Sequence, residues 1–324
     1  MTIQRTHLAL LLFAVSIFTI VLLKRLKKGE HKRAFTCGII QTASHPALDA
    51  VREGFMDAIR EKKGDTVDFI VRNGQGSIST IHTIAQQFHA KQDADILFAI
   101  ATPAAQAMIS VEKEIPIIMA AVTVTHELAD NFSAPNVCGV NDMIDVRKEI
   151  QAMKGLLSKS VQTVGILFCS AEVNSVAMSK IMVAELERAG YVPQLIAVAS
   201  EIDMEPAVAS AVRKVDALLC PTDNVVANSI ALIANIAAKV QKPLIVSDNL
   251  LVQYGALMAR GVDYYESGKQ AGNIAVQIIE KKKKPQHIGI VTADTTEIYV
   301  NKQVLDTLGL TISDAIAQDV VLVE

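Results

Sequence analysis

The feature that most constrains the fold is an alternation of short apolar runs and longer helical patterns, which begins at residue 35 and occurs twice. The apolar runs are six to eight residues long and rich in Ile, Val, Leu and Ala, as is typical of buried parallel strands. They comprise residues 35–41, 67–74, 95–101 and 116–122 in the first half, and 163–170, 194–200, 217–222 and 243–249 in the second. Most of the segments between them space apolar residues three or four apart. The sequence therefore predicts two α/β lobes in tandem, each a mainly parallel sheet covered by helices on both faces.

The boundaries of the lobes follow from where this alternation stops. Residues 132–145 lack strong periodicity, so we expect the first crossing between the lobes there. A helical pattern late in the chain ends in four Lys and Pro285, which suit a helix C-terminus. The predicted division is an N-terminal signal or anchor helix with a basic linker at 1–33, lobe 1 at 34–140 and about 250–285, and lobe 2 at 141–249 and about 286–324. We expect hinge segments near 138–145, near 247–255 and after Lys284.

The N-terminal segment predicts export or membrane attachment. Residues 8–23 are apolar except for Ser16 and Thr19, which is slightly short for a bilayer span and within reach of a signal-peptide apolar region. The basic residues KRLKK follow this run, whereas an exported protein usually carries its positive charge before it. We expect an extracytoplasmic body, periplasmic or at the cell surface, that is tethered to the membrane or secreted by this segment.

Charge and cysteine content exclude several classes of protein. The net charge of −3 combines +6 in residues 1–33 with −9 in the remainder, and an acidic body argues against binding nucleic acid. The four Cys lack C-x-x-C spacing, so no zinc site or redox motif is indicated. We expect buried free thiols, with one disulfide still possible in an oxidising compartment. No metal or cofactor is expected.

Small polar residues follow the predicted strands in both halves. Ligands of open parallel sheets bind beyond the carboxyl ends of the strands, although each such residue alone is an ordinary cap or turn residue. Thr102 and Pro103 open a helix whose first N–H groups could receive a carboxylate. In the other lobe, Asp223 or Asp248 could accept hydrogen bonds from the ammonium group of the same ligand. Together these residues predict a cleft that holds a zwitterion.

Catalytic motifs are missing. NGQGSIS at 73–79 lacks the third Gly of a dinucleotide-binding fingerprint, and GKQ at 268–270 is not a phosphate loop. His82 and His89 lie two helical turns apart, too far to share one metal ion without other ligands. No nucleophile, base and orienting group fall together at the strand ends, so we expect a binding protein and not an enzyme.

Seven segments, in order along the chain, are GIIQTASHPALDAVREGF, ATPAAQA, IP followed by AVT, AEVNS, PTDNVV, SDNLLVQYGALM and VDYYESGKQAGNIA. Together they resemble the ABC-transporter substrate-binding proteins of the tryptophan/tyrosine type, and the similarity covers about residues 35–310. The resemblance implies a type I periplasmic-binding protein, with two Rossmann-like lobes joined by a hinge and, here, preceded by an apolar helix. The cleft positions it implies are Gln41, His45, Thr102, Ala104, Ala105, Thr123, Asn174, Ser175, Asp223, Asn224 and Asp248.

The resemblance also implies a function and partners. The protein would bind an aromatic amino acid, tryptophan or tyrosine, and deliver it to an ABC permease driven by a separate ATPase. A membrane-tethered sensor of the same fold is the alternative. Two departures stand out: Val124 and Thr125 replace the Asp-Pro that commonly follows AVT, and the lipoprotein Cys of many members is missing.

Overall fold

The computed structural model describes residues 35–293 and 297–324, and the predicted N-terminal apolar helix lies outside them. The described strands are β1 (Phe35–Gln41), β2 (Val67–Asn73), β3 (Ile96–Ile100), β4 (Ile117–Val122), β5 (Val137–Asn141), β6 (Thr163–Cys169), β7 (Val192–Val198), β8 (Ala217–Cys220), β9 (Leu244–Val246), β10 (Met258–Ala259), β11 (Ile290–Thr292), β12 (Ile298–Asn301) and β13 (Val320–Val323). The helices are α1 (Pro46–Lys63), α2 (Ile78–Lys91), α3 (Thr102–Val111), α4 (Val146–Leu156), α5 (Val173–Ala189), α6 (Met204–Ala211), α7 (Asn224–Asn228), α8 (Ile230–Lys239), α9 (Tyr264–Lys281) and α10 (Lys302–Thr307).

The strands form two sheets. The first has the order β11-β5-β4-β3-β1-β2, and all its pairings are parallel. The second has the order β13-β12-β10-β9-β8-β6-β7 and is parallel except between β10 and β12. This architecture confirms the predicted pair of mainly parallel α/β lobes. Each of the eight predicted strands overlaps an observed strand. Strands such as β3, β4 and β8 are buried on both faces, as their continuous apolar runs indicate, whereas the edge strands β2 and β7 are partly exposed.

Helix α9 returns the chain to the first lobe by packing closely against α1. A Cβ atom added at Gly54 would lie 2.1 Å from the carbonyl oxygen of Tyr265, and one added at Gly268 would lie 2.1 Å from that of Val51. The glycines thus let the two helix backbones approach where any side chain would collide. This contact holds the start of α9 beside the first sheet.

The chain crosses between the sheets at 142–145, at 260–263 and between β11 and β12. Two segments differ from the prediction. Residues 258–259, predicted for lobe 1, pair with β9 in the second sheet, so the second crossing follows 247–255 instead of lying within it. Residues 290–292, predicted for lobe 2, pair with β5 in the first sheet. Strands of two or three residues are too short to show periodicity, which is why the sequence did not reveal them.

Residues 132–145, predicted as a crossing, also contain β5, which is an inner strand of the first sheet. The four Cys are buried and free, as expected. Among residues 35–293 and 297–324, no helix is both long and apolar enough to cross a membrane. The same residues contain no group of three His, Cys, Asp or Glu placed to hold a metal ion.

Candidate ligand-binding site

The carboxyl ends of strands from both sheets enclose a cavity between the lobes. Its empty space is about 400 Å³, including the part open to solvent. Six of the predicted cleft residues line it: His45, Thr123, Asn174, Asp223, Asn224 and Asp248. The rest of the lining is Ala47, Leu48, Ala121, Asp142, Pro221, Thr222, Ala227, Leu251 and Tyr264. Each lobe therefore contributes polar and apolar groups to one enclosed space.

Two hydrogen bonds join the lobes across this cavity. His45 Nε2 lies 3.2 Å from Asn224 Oδ1, and the hydroxyls of Thr123 and Thr222 lie 3.3 Å apart. His45 is buried, as are Thr123 and Asn224. The described chain thus has its lobes in contact at the cavity, in a closed arrangement.

Five predicted cleft residues lie behind the cavity instead of lining it. They are Gln41, Thr102, Ala104, Ala105 and Ser175. The buried Gln41 side chain donates to the Ala43 carbonyl and to Asp49, and accepts from Arg52. Thr102 Oγ1 accepts from the backbone N–H of Thr123 at 3.3 Å. These side chains position the loops that form the cavity wall.

The N–H groups at the start of α3 are already bonded. Ala104 N–H donates to Thr42 Oγ1 at 3.2 Å, and Ala105 N–H donates to the Ala101 carbonyl at 3.0 Å. Thr102 is the first residue of the helix and not its cap. The expectation that these N–H groups stay free for a carboxylate is therefore wrong. Its cause is tertiary, since Thr42 reaches the helix from the end of β1.

The first N–H groups of α1 have the arrangement that the sequence predicted for α3, since they are free to bind an anion. His45 precedes this 18-residue helix and makes no side-chain cap bond, while Pro46 occupies its first turn. Within the described residues, the N–H groups of Ala47 and Leu48 make no hydrogen bond, and both residues line the cavity. Free N–H groups and the partial positive charge of a long helix make an anion site.

Two carboxylates without counter-charges face the same cavity. Asp142 accepts from Thr123 Oγ1 at 2.8 Å and from the Tyr264 hydroxyl at 3.4 Å. Asp248 accepts from Leu250 N–H at 2.9 Å. Burial raises the pKa of Asp142 to about 6 and that of Asp248 to about 7, and the charge of Asp142 adds to the latter. Neither forms an ion pair in the described part of the chain. A cation would therefore be stabilised beside them.

Asp223 differs because the protein already fills its oxygens. It accepts from Val226 N–H at 2.9 Å, from Cys169 N–H at 2.6 Å and from the Ser175 hydroxyl. Through these bonds it caps α7 and ties it to β6 and α5. Asp248 is consequently the better placed of the two predicted partners for an ammonium group.

Sequence reasoning missed Asp142 and Tyr264. Asp142 directly follows β5, a strand hidden in the stretch that was interpreted only as a crossing. Had β5 been recognised, its strand-end Asp would have joined the other candidates by the same rule. Tyr264 opens α9 just after the second crossing, where no strand end marks it.

The fold and cavity define a two-lobed binding protein of the type I periplasmic class, whose ligand site lies between strand ends of both lobes. Residues 36–322 match the family model described as ABC transporter substrate binding protein, and the chain belongs to this family. This confirms the resemblance drawn from the sequence. The family comprises extracytoplasmic substrate-binding proteins that work with ABC transporter components and are not enzymes.

Three relatives illustrate the similarity. A "Tyrosine-binding protein" of Clostridioides difficile (strain R20291) is 34% identical over 297 residues, covering 88% of this chain and 84% of the relative. The ABC domain from Streptococcus pneumonia in complex with L-Trp has a TM-score of 0.84 at 30% identity, covering 90% of this chain and 99% of that one. A substrate-binding protein with adhesive properties from Clostridium difficile, in a ligand-free, open structure, has a TM-score of 0.64 at the same identity and coverages. The described chain is thus more similar to the ligand complex than to the open structure.

Proposed function

We propose that this protein is the extracytoplasmic substrate-binding component of an ABC importer and that it binds an aromatic amino acid, tryptophan or tyrosine, between its lobes. One observation carries the proposal: a single cavity contains both an open helix N-terminus and two carboxylates without counter-charges. An α-amino acid has the complementary pair of charges. The names of the tyrosine-binding relative and of the tryptophan complex support the aromatic class.

Each charged end of the ligand meets a complementary group in the cavity. Its carboxylate accepts from the N–H groups of Ala47 and Leu48, where the α1 dipole favours negative charge. Its ammonium group donates to Asp142 and Asp248, whose burial makes a charged partner valuable. Binding therefore gives both carboxylates a counter-charge, and no covalent bond forms.

The apolar part of the lining would receive the side chain of the ligand. Leu48 and Ala121 belong to the first lobe, and Pro221, Ala227 and Leu251 belong to the second. An aromatic ring contacting both sets would bury apolar surface only when the lobes are together, which stabilises the closed state.

Hinge closure is the proposed mechanism. Asp142 lies in the first crossing and Tyr264 directly follows the second, so the ligand would contact the segments about which the lobes turn. The higher TM-score against the tryptophan complex than against the open, ligand-free relative supports a closed ligand-bound state. A distance measured between spin labels on the two lobes should shorten when ligand is added. An unchanged distance would contradict closure.

Calorimetry with the purified full chain tests the substrate class. We expect tryptophan or tyrosine to bind most tightly among the twenty amino acids. Tryptamine, which lacks the carboxylate, and N-acetyltryptophan, which lacks the ammonium group, should each bind about 100-fold more weakly than tryptophan, since each loses one charged hydrogen-bonding group. Tighter binding of a non-aromatic amino acid would overturn the aromatic assignment, and binding of either analogue as tight as that of tryptophan would overturn the two-ended site.

The role in import and the attachment to the membrane need a cellular test. Deleting the gene should reduce uptake of the labelled amino acid, and the full-length gene should restore it. The N-terminal segment is proposed as the export signal or tether, so its deletion should prevent restoration. Normal uptake in the deletion strain would exclude the importer role.

A further inference from the structure

A buried carboxylate beside the cavity fixes the orientation of two side-chain amides. Glu172 lies at the start of α5 and is buried. Its Oε2 accepts from Asn224 Nδ2 at 2.7 Å and from Asn174 Nδ2 at 3.3 Å. An ionised carboxylate only accepts hydrogen bonds, so each amide must turn its nitrogen toward Glu172. The amide oxygens of both Asn residues consequently point away from it.

This orientation fixes the tautomer of His45. Asn224 Oδ1 lies 3.2 Å from His45 Nε2, and because the oxygen can only accept, Nε2 must carry the proton. Burial lowers the pKa of His45, so its ring is neutral at pH 8. In a neutral imidazole with a proton on Nε2, the other nitrogen is an acceptor. His45 Nδ1 is therefore an acceptor.

Two buried acceptors in the cavity wall are left unused. His45 Nδ1 and Asn174 Oδ1 have no hydrogen-bond partner among the described residues, and both residues line the cavity. Asn174 Nδ2, in contrast, donates to both Glu172 and the Thr222 carbonyl. A buried acceptor without a partner is unfavourable, and a donor on the ligand would remove that cost.

We infer that Glu172 is a positioning residue that holds Asn174, Asn224 and His45 so that the cavity accepts hydrogen bonds from the ligand side chain, which selects aromatic amino acids that carry an N–H or O–H donor. The inference rests on the proposed function and narrows its substrate class. The indole of tryptophan and the phenol of tyrosine each supply one donor. Phenylalanine fills the same space without one and leaves the acceptors unpaired.

The first test compares ligands on the unmodified full chain. Calorimetry at pH 8 should show tryptophan or tyrosine binding at least about 10-fold more tightly than phenylalanine, the factor expected from one unpaired buried acceptor. If the affinity for phenylalanine were within about three-fold of the affinities for tryptophan and tyrosine, the inference would be overturned while the proposed function stayed intact. Failure of all three amino acids to bind would overturn both the inference and the proposed function.

Variants then separate positioning from folding. Glu172→Leu frees the Asn224 amide to rotate, and with it the tautomer of His45, while Asn174 keeps its bond to the Thr222 carbonyl. The preference over phenylalanine should therefore fall to within about three-fold, and Glu172→Gln, which retains an acceptor oxygen, should restore part of it.

Glu201→Leu is the matched control, because Glu201 accepts from Asn228 at 2.9 Å but lies at the exposed mouth of the cleft. Glu201→Leu should keep the full preference for tryptophan or tyrosine over phenylalanine. An equal loss of affinity for all three ligands in Glu172→Leu would indicate a merely structural role and overturn the inference.

Nitrogen-15 NMR of the imidazole tests the tautomer without any substitution, so the inference stays testable if Glu172→Leu does not fold. We expect a protonated Nε2 and an unprotonated Nδ1 on His45 at pH 8 in the phenylalanine complex, because the bond from His45 to Asn224 joins the two lobes and needs them closed. In the tyrosine or tryptophan complex, the Nδ1 resonance should be shifted from its position in the phenylalanine complex. A proton on Nδ1 in the phenylalanine complex would overturn the inference.

Discussion

Helices α1 and α3 both begin at the carboxyl edge of the first sheet with a Pro in the first turn, yet their first N–H groups differ in what they contact. At α3 the N–H of Ala104 is bonded to Thr42, whereas at α1 the N–H groups of Ala47 and Leu48 are open toward the cavity. Equal helix geometry thus produces an anion site only where the surrounding fold supplies no partner.

The acidic residues show the same contrast. Among the residues that the structure describes, Asp223 receives three donors, whereas Asp248 receives only one, from Leu250. We call the α3 start and Asp223 the occupied groups, and the α1 start, Asp142 and Asp248 the open groups. Occupied groups should determine stability and open groups should determine ligand affinity.

Replacing an occupied carboxylate should have the largest effect on folding. Asp223→Ala leaves three buried donors without their acceptor and removes the cap of α7, so we expect the free energy of unfolding to fall by about 3 kcal/mol. Urea unfolding monitored by circular dichroism measures this. Unchanged stability combined with a large loss of amino-acid affinity would place Asp223 among the open groups.

Replacing an open carboxylate should act on affinity instead. Asp248→Asn keeps an acceptor for Leu250 N–H but removes the charge that faces the ammonium group, so binding should weaken about 100-fold, or about 2.7 kcal/mol. Stability at pH 8 should stay the same or rise, because a buried charge is lost. Asp130→Asn is the control and should bind normally, because Asp130 is exposed and does not line the cavity. Loss of stability without loss of affinity would contradict the assignment.

The two open carboxylates also predict opposite pH dependences for binding and folding. Their folded pKa values, about 6 for Asp142 and about 7 for Asp248, lie above the ordinary 3.8, so the folded state retains protons that the unfolded state releases. Their contribution to stability is therefore present below about pH 4 and is lost as pH rises toward 7. Ammonium binding needs the ionised forms, so the loss of ionised Asp248 alone should make affinity about 30-fold lower at pH 5.5 than at pH 8.

Calorimetry and urea unfolding at both pH values check these two trends. Burial also raises the pKa of Glu172 to about 7, so its titration could change affinity over the same pH range. Asp248→Asn distinguishes the two carboxylates, because it should flatten the pH dependence of affinity only if Asp248 causes it. Affinity that does not change between the two pH values would contradict a carboxylate site for the ammonium group.

The sequence predicts the location of the cleft better than the roles of the residues in it. Strands such as β3 and β4 are recognisable because they are buried throughout and apolar throughout. Whether Ala104 or Ala47 offers a free N–H depends on Thr42, which comes from another strand end and meets α3 only in the folded chain. Asp142 was missed for a related reason, since β5 is recognisable as a strand only from its neighbours β4 and β11.

The smallest expected effect tests the occupied helix start. Thr42 Oγ1 donates to the Ile100 carbonyl at 3.0 Å and accepts from Ala104 N–H at 3.2 Å, so Thr42→Val removes both bonds while keeping the shape of the side chain. We expect the free energy of unfolding to fall by about 1 kcal/mol and amino-acid affinity to stay within about two-fold. Urea unfolding and calorimetry on the same preparation measure both. If affinity fell about 10-fold at unchanged stability, the start of α3 would contribute to binding, and the distinction between occupied and open helix starts would fail.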